Sequence, residues 1–326
     1  MRFMNRKKLY IICLFFILLS ATAVFSNRCY QTIKRFQEKA EKKRILLEKQ
    51  KADWLALEQS LSKQVSCFNG EPGILIKDMQ SNWEISFNKD KSYPSASVVK
   101  IPIMVSCFEA IHKGILDYDS LVRLRAKDKV SGSGVLKNAP VGKEVSISQL
   151  LELMITKSDN TAANILIEKL GFDYLNDSFK SYGIKNTNLS RKMMDFKARS
   201  KGIENYTTAE DIAIVLEKIY HGEMINRDVS QQCLELLKRQ KINNRIPKHL
   251  PKEAVVAHKT GLERFVCHDA GIVYTSKGDF LICALVKHSK TTSKSAKEFI
   301  ASIAKTTYEH FNKRQYEDYE TFAIIR

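Results

Sequence analysis

The chain begins with a basic stretch followed by an uninterrupted apolar segment at residues 9–25. This arrangement is typical of export signals. Residues 21–23 (Ala-Thr-Ala) would suit signal cleavage, whereas the length of the apolar run reaches the lower limit of a membrane span. We therefore expect residues 1–26 to be a signal peptide or a membrane anchor. The rest of the chain would then be extracytoplasmic, in the periplasm or at the cell surface.

Residues 30–65 predict a long helix that is strongly charged in its first part. Its apolar side chains recur every seventh residue, at Ile33, Ala40, Leu47, Trp54 and Leu61. Polar residues such as Lys43 and Gln50 occupy several partner positions of this heptad, which argues against a coiled coil. We interpret residues 27–51 as a basic helical stalk that leads into the first helix of a folded domain at residue 52.

The pattern of apolar positions changes twice after the stalk. Short alternating or continuous apolar runs predict strands, at residues 71–80, 82–90, 253–261, 269–275 and 280–287. From Ser97 to residue 245 the apolar residues recur at intervals of three and four, which predicts helices, and residues 295–311 predict a closing helix.

This order favours an α+β fold, an α/β sandwich with an antiparallel sheet formed from both ends of the chain. We expect the terminal helices to cover the sheet and an all-helical subdomain to be inserted in the middle. The domain would span residues 52–313, with residues 314–326 as a tail to which no role is assigned. A cleft is expected where the sheet and the helical subdomain meet.

Composition narrows the range of functions. The chain has 326 residues, is 44% hydrophobic and carries a formal net charge of +17, which suits a globular protein with an anionic partner. Its 53 lysines and arginines form no stripe with interleaved aromatic residues, so we expect an anionic cell surface as partner and no nucleic acid. The 7 cysteines form no Cys-x-x-Cys pair and the 7 histidines no His-Glu-x-x-His pattern, so no metal site or cofactor is predicted.

A Ser-x-x-Lys motif occurs four times, and the surroundings distinguish its copies. The copies at Ser60 and Ser302 lie in predicted charged helices, and the copy at Ser86 ends a predicted strand. The copy at Ser97 follows a turn and opens an apolar helix. Its hydroxyl would lie at the positive end of the helix dipole, with Lys100 one turn later on the same face. This geometry suits a nucleophile and its base.

Two polar triplets later in the chain complement this serine. They are Ser158-Asp159-Asn160, which separates two apolar runs, and Lys259-Thr260-Gly261. Lys100 can accept a serine proton only as a neutral amine, and the charge of Lys259 would lower the pKa of Lys100. Ser158 would then relay a proton to the leaving nitrogen. Asp159 is interpreted as structural, because its carboxylate can brace the loop that carries its neighbours.

The same triplets also supply predicted substrate-binding groups. Asn160 offers an amide that can orient a substrate amide. Thr260 and Gly261 lie on a predicted edge strand, where the threonine hydroxyl could hydrogen-bond a substrate carboxylate. The backbone N–H groups of Ser97 and Leu262 would hold the oxyanion.

The ordered set of motifs resembles that of class A serine beta-lactamases and the related penicillin-binding proteins. Ser97, Ser158 and Lys259 follow one another at separations of 61 and 101 residues, which is similar to the class A arrangement. The similarity extends to residues 93–100, to residues 155–167 with Asn164, and to the two strands around the third motif, and it covers residues 52–313. It implies a beta-lactam or cell-wall peptide as substrate and an acyl-enzyme on Ser97.

One stretch departs from the family pattern. Class A enzymes are known for a Glu-x-x-Leu-Asn stretch whose acid activates the water that hydrolyses the acyl-enzyme. The corresponding region here is residues 188–208, and a gapless alignment places Met193 at the acid and Lys197 at the asparagine. Asp195, two residues further on, is a candidate substitute base; the alternative is an aspartate that braces the loop or lies at the surface. Glu204 is too close to the end of the loop.

Three functions compete at this point. The first, which we favour, is a serine beta-lactamase in which water activated by Asp195 or Lys100 releases the penicilloyl group. The second is a penicillin-binding D-Ala-D-Ala peptidase or transpeptidase, or a slowly deacylating penicillin sensor. The third is a non-catalytic module that binds cell wall or drug, against which the intact Ser97, Lys100 and Lys259 argue. A monomer is expected.

Overall fold

The structure is a computed structural model that describes residues 6–290 and 292–314. Apart from Arg314, the predicted tail lies outside the described residues, as do the first five residues of the predicted signal or anchor. The chain divides into two units, the first ending at Ala56 and the second beginning at Leu57.

The helices and strands follow the predicted order. The α-helices are α1 (Arg6–Cys67), α2 (Lys100–His112), α3 (Ile147–Thr156), α4 (Asn160–Leu170), α5 (Phe172–Ser181), α6 (Phe196–Ser200), α7 (Ala209–His221), α8 (Arg227–Lys238) and α9 (Lys294–Asn312). The strands are β1 (Glu71–Asp78), β2 (Glu84–Phe87), β3 (Tyr93–Pro94), β4 (Leu121–Arg123), β5 (Glu144–Ser146), β6 (Tyr206–Thr207), β7 (Val256–Glu263), β8 (Val266–Val273) and β9 (Phe280–Lys287).

The main sheet confirms the prediction that both ends of the chain build it. Its strand order is β2-β1-β9-β8-β7, and all four pairings are antiparallel. The central pairing joins β1 to β9, from Glu71 opposite Lys287 to Asp78 opposite Phe280. Strand β8 is buried along its whole length, which fits a sheet covered on both faces. Strand β7 is an edge strand, so one side of its backbone is free to face a cleft.

The helical region between β2 and β7 confirms the predicted insertion, with one addition. Two short antiparallel ribbons, β3 with β6 and β4 with β5, lie within it and were not predicted. Strands of two or three residues are too short to give a period-2 signal, which explains the omission. Helix α7 packs on β1, β8 and β9, and α9 packs on β8 and β9.

Helix α2 runs through the core of the helical region. Ten of its residues are buried, from Lys100 to Phe108 together with Ala110. Because burial on all sides fixes both the position and the rotation of a helix, the residues at its N-terminal end are held on a rigid support. Ser97 and Lys100 lie at that end.

Helix α1 confirms the predicted long helix and continues it through the N-terminal apolar segment. Within α1, an 18-residue window with a mean hydropathy of 2.4 has no buried residue. The helix is therefore long and apolar enough to cross a membrane, and it fits a signal sequence equally well.

Candidate active site

Ser97 lies in a 3₁₀ turn, Ala96–Val99, that leads directly into α2. Ala96 has a φ of 44°, a conformation that L-residues rarely adopt and that proteins retain mainly at functional sites. The turn packs against β7, because a Cβ built on Gly261 would lie 3.3 Å from the Cβ of Ala96. The absence of a side chain at Gly261 thus allows the serine turn to approach the edge strand closely.

His268 of β8 attaches the segment just before this turn to the sheet. Its Nε2 donates to the carbonyl of Pro94 at 2.8 Å, and its Nδ1 accepts from the backbone of Val286 at 3.0 Å. Burial lowers the pKa of His268 to about 4, so the imidazole is neutral and its two nitrogens keep these opposite roles at neutral pH. Sequence analysis assigned no role to His268, since a histidine within a buried strand carries no local signal of a distant partner.

Lys100 is fully buried and makes three polar contacts with the second motif. Its Nζ lies 2.8 Å from the Ser158 carbonyl, 2.8 Å from Asn160 Oδ1 and 3.4 Å from Ser158 Oγ. Burial lowers the pKa of Lys100 from its ordinary value of 10.5 to about 7. The sequence analysis attributed this lowering to the charge of Lys259. Loss of solvation is instead the main cause, because no water reaches the amine.

Lys259 approaches Ser158 from the opposite side. Its Nζ donates to Ser158 Oγ at 3.0 Å and to the carbonyl of Thr260 at 2.7 Å. Burial lowers the pKa of Lys259 well below its ordinary value, and the nearby charge of Lys100 lowers it further. Two buried amines that share one hydroxyl repel each other, so a charge on one disfavours a charge on the other.

Ser158 is held in a strained conformation between the two amines. Its φ is 53°, in the left-handed region, and its side chain is buried. Its carbonyl and its hydroxyl therefore both face Lys100. A serine at this point can pass a proton between a lysine and a third group, which is the role predicted for it.

Asn160 and Asp159 brace the site from the start of α4. The Asn160 amide accepts from Lys100 and donates to the Ser131 carbonyl at 3.2 Å, so both of its ends contact the protein. Asp159 caps α4 through the N–H of Ala162 and accepts from the N–H groups of Val135 and Leu136. These contacts agree with the structural interpretation of Asp159, and they explain why a polar triplet occurs between two buried helices.

A glycine-containing loop at residues 131–136 covers this triplet. Gly132 has a φ of 85°, and a Cβ on it would lie 2.7 Å from Asn160 Nδ2 and 3.0 Å from Met194 Sδ. Gly134 has a φ of 112°, and a Cβ there would lie 2.3 Å from Asp159 Cγ. Both positions require glycine for conformation and for space. The sequence analysis did not identify this loop, because its target is distant in sequence.

The predicted substrate-binding residues of the third motif lie on the free edge of the sheet. Thr260 and Gly261 are in the outer strand β7, as predicted, with Thr260 opposite Asp269 of β8. Thr260 is buried, whereas the side chain of Leu262 is 47% exposed. Leu262 directly follows Gly261, the residue at which β7 approaches Ala96 of the turn that carries Ser97.

These contacts bring most predicted groups together. Direct hydrogen bonds join four of them: Lys100, Ser158, Asn160 and Lys259. We call this set the lysine–serine corner. Among the described residues, no hydrogen bond joins the Ser97 hydroxyl to either lysine. Such catalytic contacts are often loose without substrate and tighten when it binds.

The inner face of the 188–208 loop is apolar at Met193, the residue that the alignment places at the family's acid. Met193 is buried, and the side-chain amide of Asn164 on α4 binds both of its backbone groups. Asn164 Oδ1 accepts from the Met193 N–H at 2.7 Å, and Asn164 Nδ2 donates to the Met193 carbonyl at 3.0 Å. Asp195 caps the short helix α6 by accepting from Ala198 at 2.9 Å. This contact matches the loop-bracing alternative. Lys197 is exposed.

A buried cation that sequence analysis did not identify lies behind the third motif. Arg245 is only 1% exposed, and its Nε donates to Cys267 Sγ at 3.2 Å. Its charge contributes to the lowered pKa of Lys259. Arg264, the arginine nearest to the motif in sequence, instead stacks on Phe265 with its Cζ 4.8 Å from the ring centre.

Comparison with known proteins agrees with this geometry. Residues 56–311 match a family described as the beta-lactamase enzyme family. Beta-lactamase VEB-1 of Pseudomonas aeruginosa is 25% identical over 262 residues, which cover 74% of this chain and 86% of VEB-1.

Solved structures give the same result. A beta-lactamase from Sphaerobacter thermophilus is 28% identical and superposes with a TM-score of 0.73, over 80% of this chain and 98% of that one. PBP-A, in a variant with leucine changed to glutamate and solved as an acyl-enzyme complex with penicillin G, is 29% identical. It superposes with a TM-score of 0.73, over 80% of this chain and 97% of PBP-A.

Proposed function

Because this chain belongs to the beta-lactamase enzyme family, we propose that it is a serine hydrolase that opens beta-lactam rings through an acyl-enzyme on Ser97. The observation that supports this most strongly is the lysine–serine corner, in which two buried amines share the Ser158 hydroxyl. A binding module without catalysis would have no use for two desolvated lysines beside a serine turn.

Lys100 is the proposed base for the attack of Ser97. A neutral amine has two N–H donors and one lone pair. The Ser158 carbonyl and Asn160 Oδ1, each at 2.8 Å, accept the two donors. The lone pair is left to take the proton of the attacking hydroxyl. A pKa of about 7 keeps a large fraction of Lys100 neutral at physiological pH.

The proton then travels to the nitrogen of the opened ring. Ser158 lies within reach of both amines, so it donates its own proton to the leaving nitrogen and recovers one from Lys100 or Lys259. The C–N bond of the lactam breaks as the Ser97 ester forms. The N–H groups of Ser97 and Leu262 stabilise the oxyanion that develops in between.

Recognition of the substrate carboxylate uses the third motif. The Thr260 hydroxyl and the Lys259 ammonium lie on the edge strand, and the buried charge of Arg245 adds positive potential behind them. Asn160 contacts Lys100 and Ser131 and has the further role of holding the base in place.

Release of the acyl group is the slow half of the reaction in this proposal. No carboxylate occupies the position of Met193, and the nearest candidate, Asp195, is engaged as a helix cap. Water activated by Lys100 is then the route that remains. The same observation favours a second candidate function, a penicillin-binding peptidase or penicillin sensor whose acyl-enzyme persists. PBP-A, among the similar structures, is consistent with it.

The apolar segment of α1 supports an extracytoplasmic location, with the segment acting as signal or anchor. A secreted or surface-held enzyme meets beta-lactams before they reach cell-wall synthesis, and the beta-lactam is its proposed partner.

Intact-mass spectrometry after addition of benzylpenicillin tests the proposal and separates the two candidates. Rapid return to the unmodified mass, with accumulation of penicilloate, supports the hydrolase. An adduct that lasts for hours supports the peptidase or sensor. Ser97→Ala should abolish labelling by a fluorescent penicillin, and persistent labelling of this variant would remove Ser97 from its role.

A further inference from the structure

Four charged side chains form a closed ring that joins the 188–208 loop to strand β7. Three belong to the loop: Arg191 near its start, Arg199 in α6 and Glu204 near its end. The fourth, Glu263, is the last residue of β7. We call this set the loop–strand ring.

Each arginine in the ring contacts each glutamate. Arg191 lies 2.6 Å from Glu204 Oε1 and 3.1 Å from Glu263 Oε1. Arg199 lies 3.2 Å from Glu204 Oε2 and 3.0 Å from Glu263 Oε2. All four carboxylate oxygens are therefore used, and the ring is neutral.

The ring is built into the protein and is not a surface ion pair. The side chains of Arg191 and Glu204 are 3% and 8% exposed. Those of Arg199 and Glu263 are 30% and 20% exposed. Charges this deeply buried are costly unless each keeps its partners, so removal of one member leaves an uncompensated charge among the others.

Glu263 occupies a distinctive place because it belongs to the strand that carries the third motif. Glu263 lies four residues beyond Lys259, on the same face of β7, since alternate residues of a strand share a face. Its carboxylate thus faces the 188–208 loop, where it meets both arginines.

From this geometry we propose that Glu263 is a positioning residue that fixes the 188–208 loop against strand β7. This role does not depend on the proposed function. Through Arg191 and Arg199, Glu263 holds the loop from outside, while Asn164 holds Met193 from the helical side. The apolar inner face of the loop is thereby kept in one position beside the site.

Two variants test the proposal, Glu263→Gln and the matched control Glu253→Gln. The first removes one carboxylate from the ring, and the second removes an exposed carboxylate outside it. Hydrogen exchange of the full-length protein is measured on peptides within residues 188–208. We expect the amides around Met193 to exchange about tenfold faster in Glu263→Gln than in the wild type, because a partly buried ring has been opened. An unchanged exchange rate would overturn the positioning role.

The conservative variant Glu263→Asp keeps a carboxylate at this position, so its loop should exchange more slowly than that of Glu263→Gln. Equal acceleration of exchange in the two variants would also overturn the proposal. The exchange experiment uses no beta-lactam, so failure of the proposed function would leave its outcome intact.

Discussion

The lysine–serine corner and the inner face of the 188–208 loop border the same site but differ in chemistry. In the corner, polar groups are buried and bonded to one another, and burial shifts the pKa values of two lysines far from normal. On the loop face, Met193 is buried and Asp195 serves only as a helix cap. In the proposed function, the corner moves protons during acylation, whereas the loop face maintains the shape of the site. On that proposal, acylation and release of the acyl group depend on separate parts of the structure.

The largest effect is expected when the proposed base, Lys100, is removed from the lysine–serine corner. Lys100→Met should slow acylation of Ser97 by about a thousandfold, because positioned general bases contribute on this scale. Stopped-flow measurement with a chromogenic cephalosporin gives the rate. Lys185→Met, which changes an exposed lysine away from the site, is the matched control. A wild-type acylation rate in folded Lys100→Met would transfer the base role to another group.

The difference between the two regions can also be tested by placing a carboxylate on the inner face of the loop. Met193→Glu should shorten the life of the acyl-enzyme about tenfold or more, because a base beside the ester can activate water. Phe196→Glu, at an exposed position of the same loop, is the control and should have a much smaller effect. The measurement is the decay of the penicilloyl adduct by intact mass. If the adduct decays at the wild-type rate in both variants, the missing acid does not limit release of the acyl group.

The pH profile tests the shifted lysine directly. With a pKa of about 7 for Lys100, the neutral fraction and hence the acylation rate should fall about tenfold between pH 8 and pH 6. The same shift links to stability. The folded-state pKa lies below the unfolded value of 10.5, so the unfolded chain binds more protons and the free energy of unfolding rises with pH from about 7 to 10.5. A flat acylation profile over pH 6–8 would assign the base to a group other than Lys100.

The smallest effect is expected at Asp195. Asp195→Asn keeps a good capping side chain but removes the carboxylate, so the adduct lifetime should stay within about twofold of the wild type. Asp195→Ala should lower the free energy of unfolding by about 1 kcal/mol through loss of the cap. Denaturant titration and adduct decay measure the two results. A much longer adduct lifetime in Asp195→Asn would restore the substitute-base hypothesis.

The sequence predicted those parts of the site that are local. Ser97 and Lys100 lie within one turn, and each triplet lies at the end of an apolar element, so the period of the apolar residues was enough to place them. The sheet formed from both chain ends followed from the order of strands and helices.

The remaining features depend on contacts between distant residues. His268 reaches Pro94, Asn164 reaches Met193, and Glu263 reaches Arg191 only after folding. The depth of burial of Lys100 is likewise a property of the packed helices, which is why the sequence analysis attributed its shifted pKa to the wrong cause. No local pattern encodes such contacts, since each partner is an ordinary residue of its own segment.

The central claim is that Ser97, supported by the lysine–serine corner, forms the covalent bond to the substrate. It is tested most directly by digesting the protein shortly after it reacts with benzylpenicillin and mapping the modified residue by mass spectrometry. The account predicts one penicilloyl group per chain, on the peptide that contains Ser97, and none in Ser97→Ala. A penicilloyl group on another residue, or hydrolysis of the drug by Ser97→Ala at the wild-type rate, would contradict it.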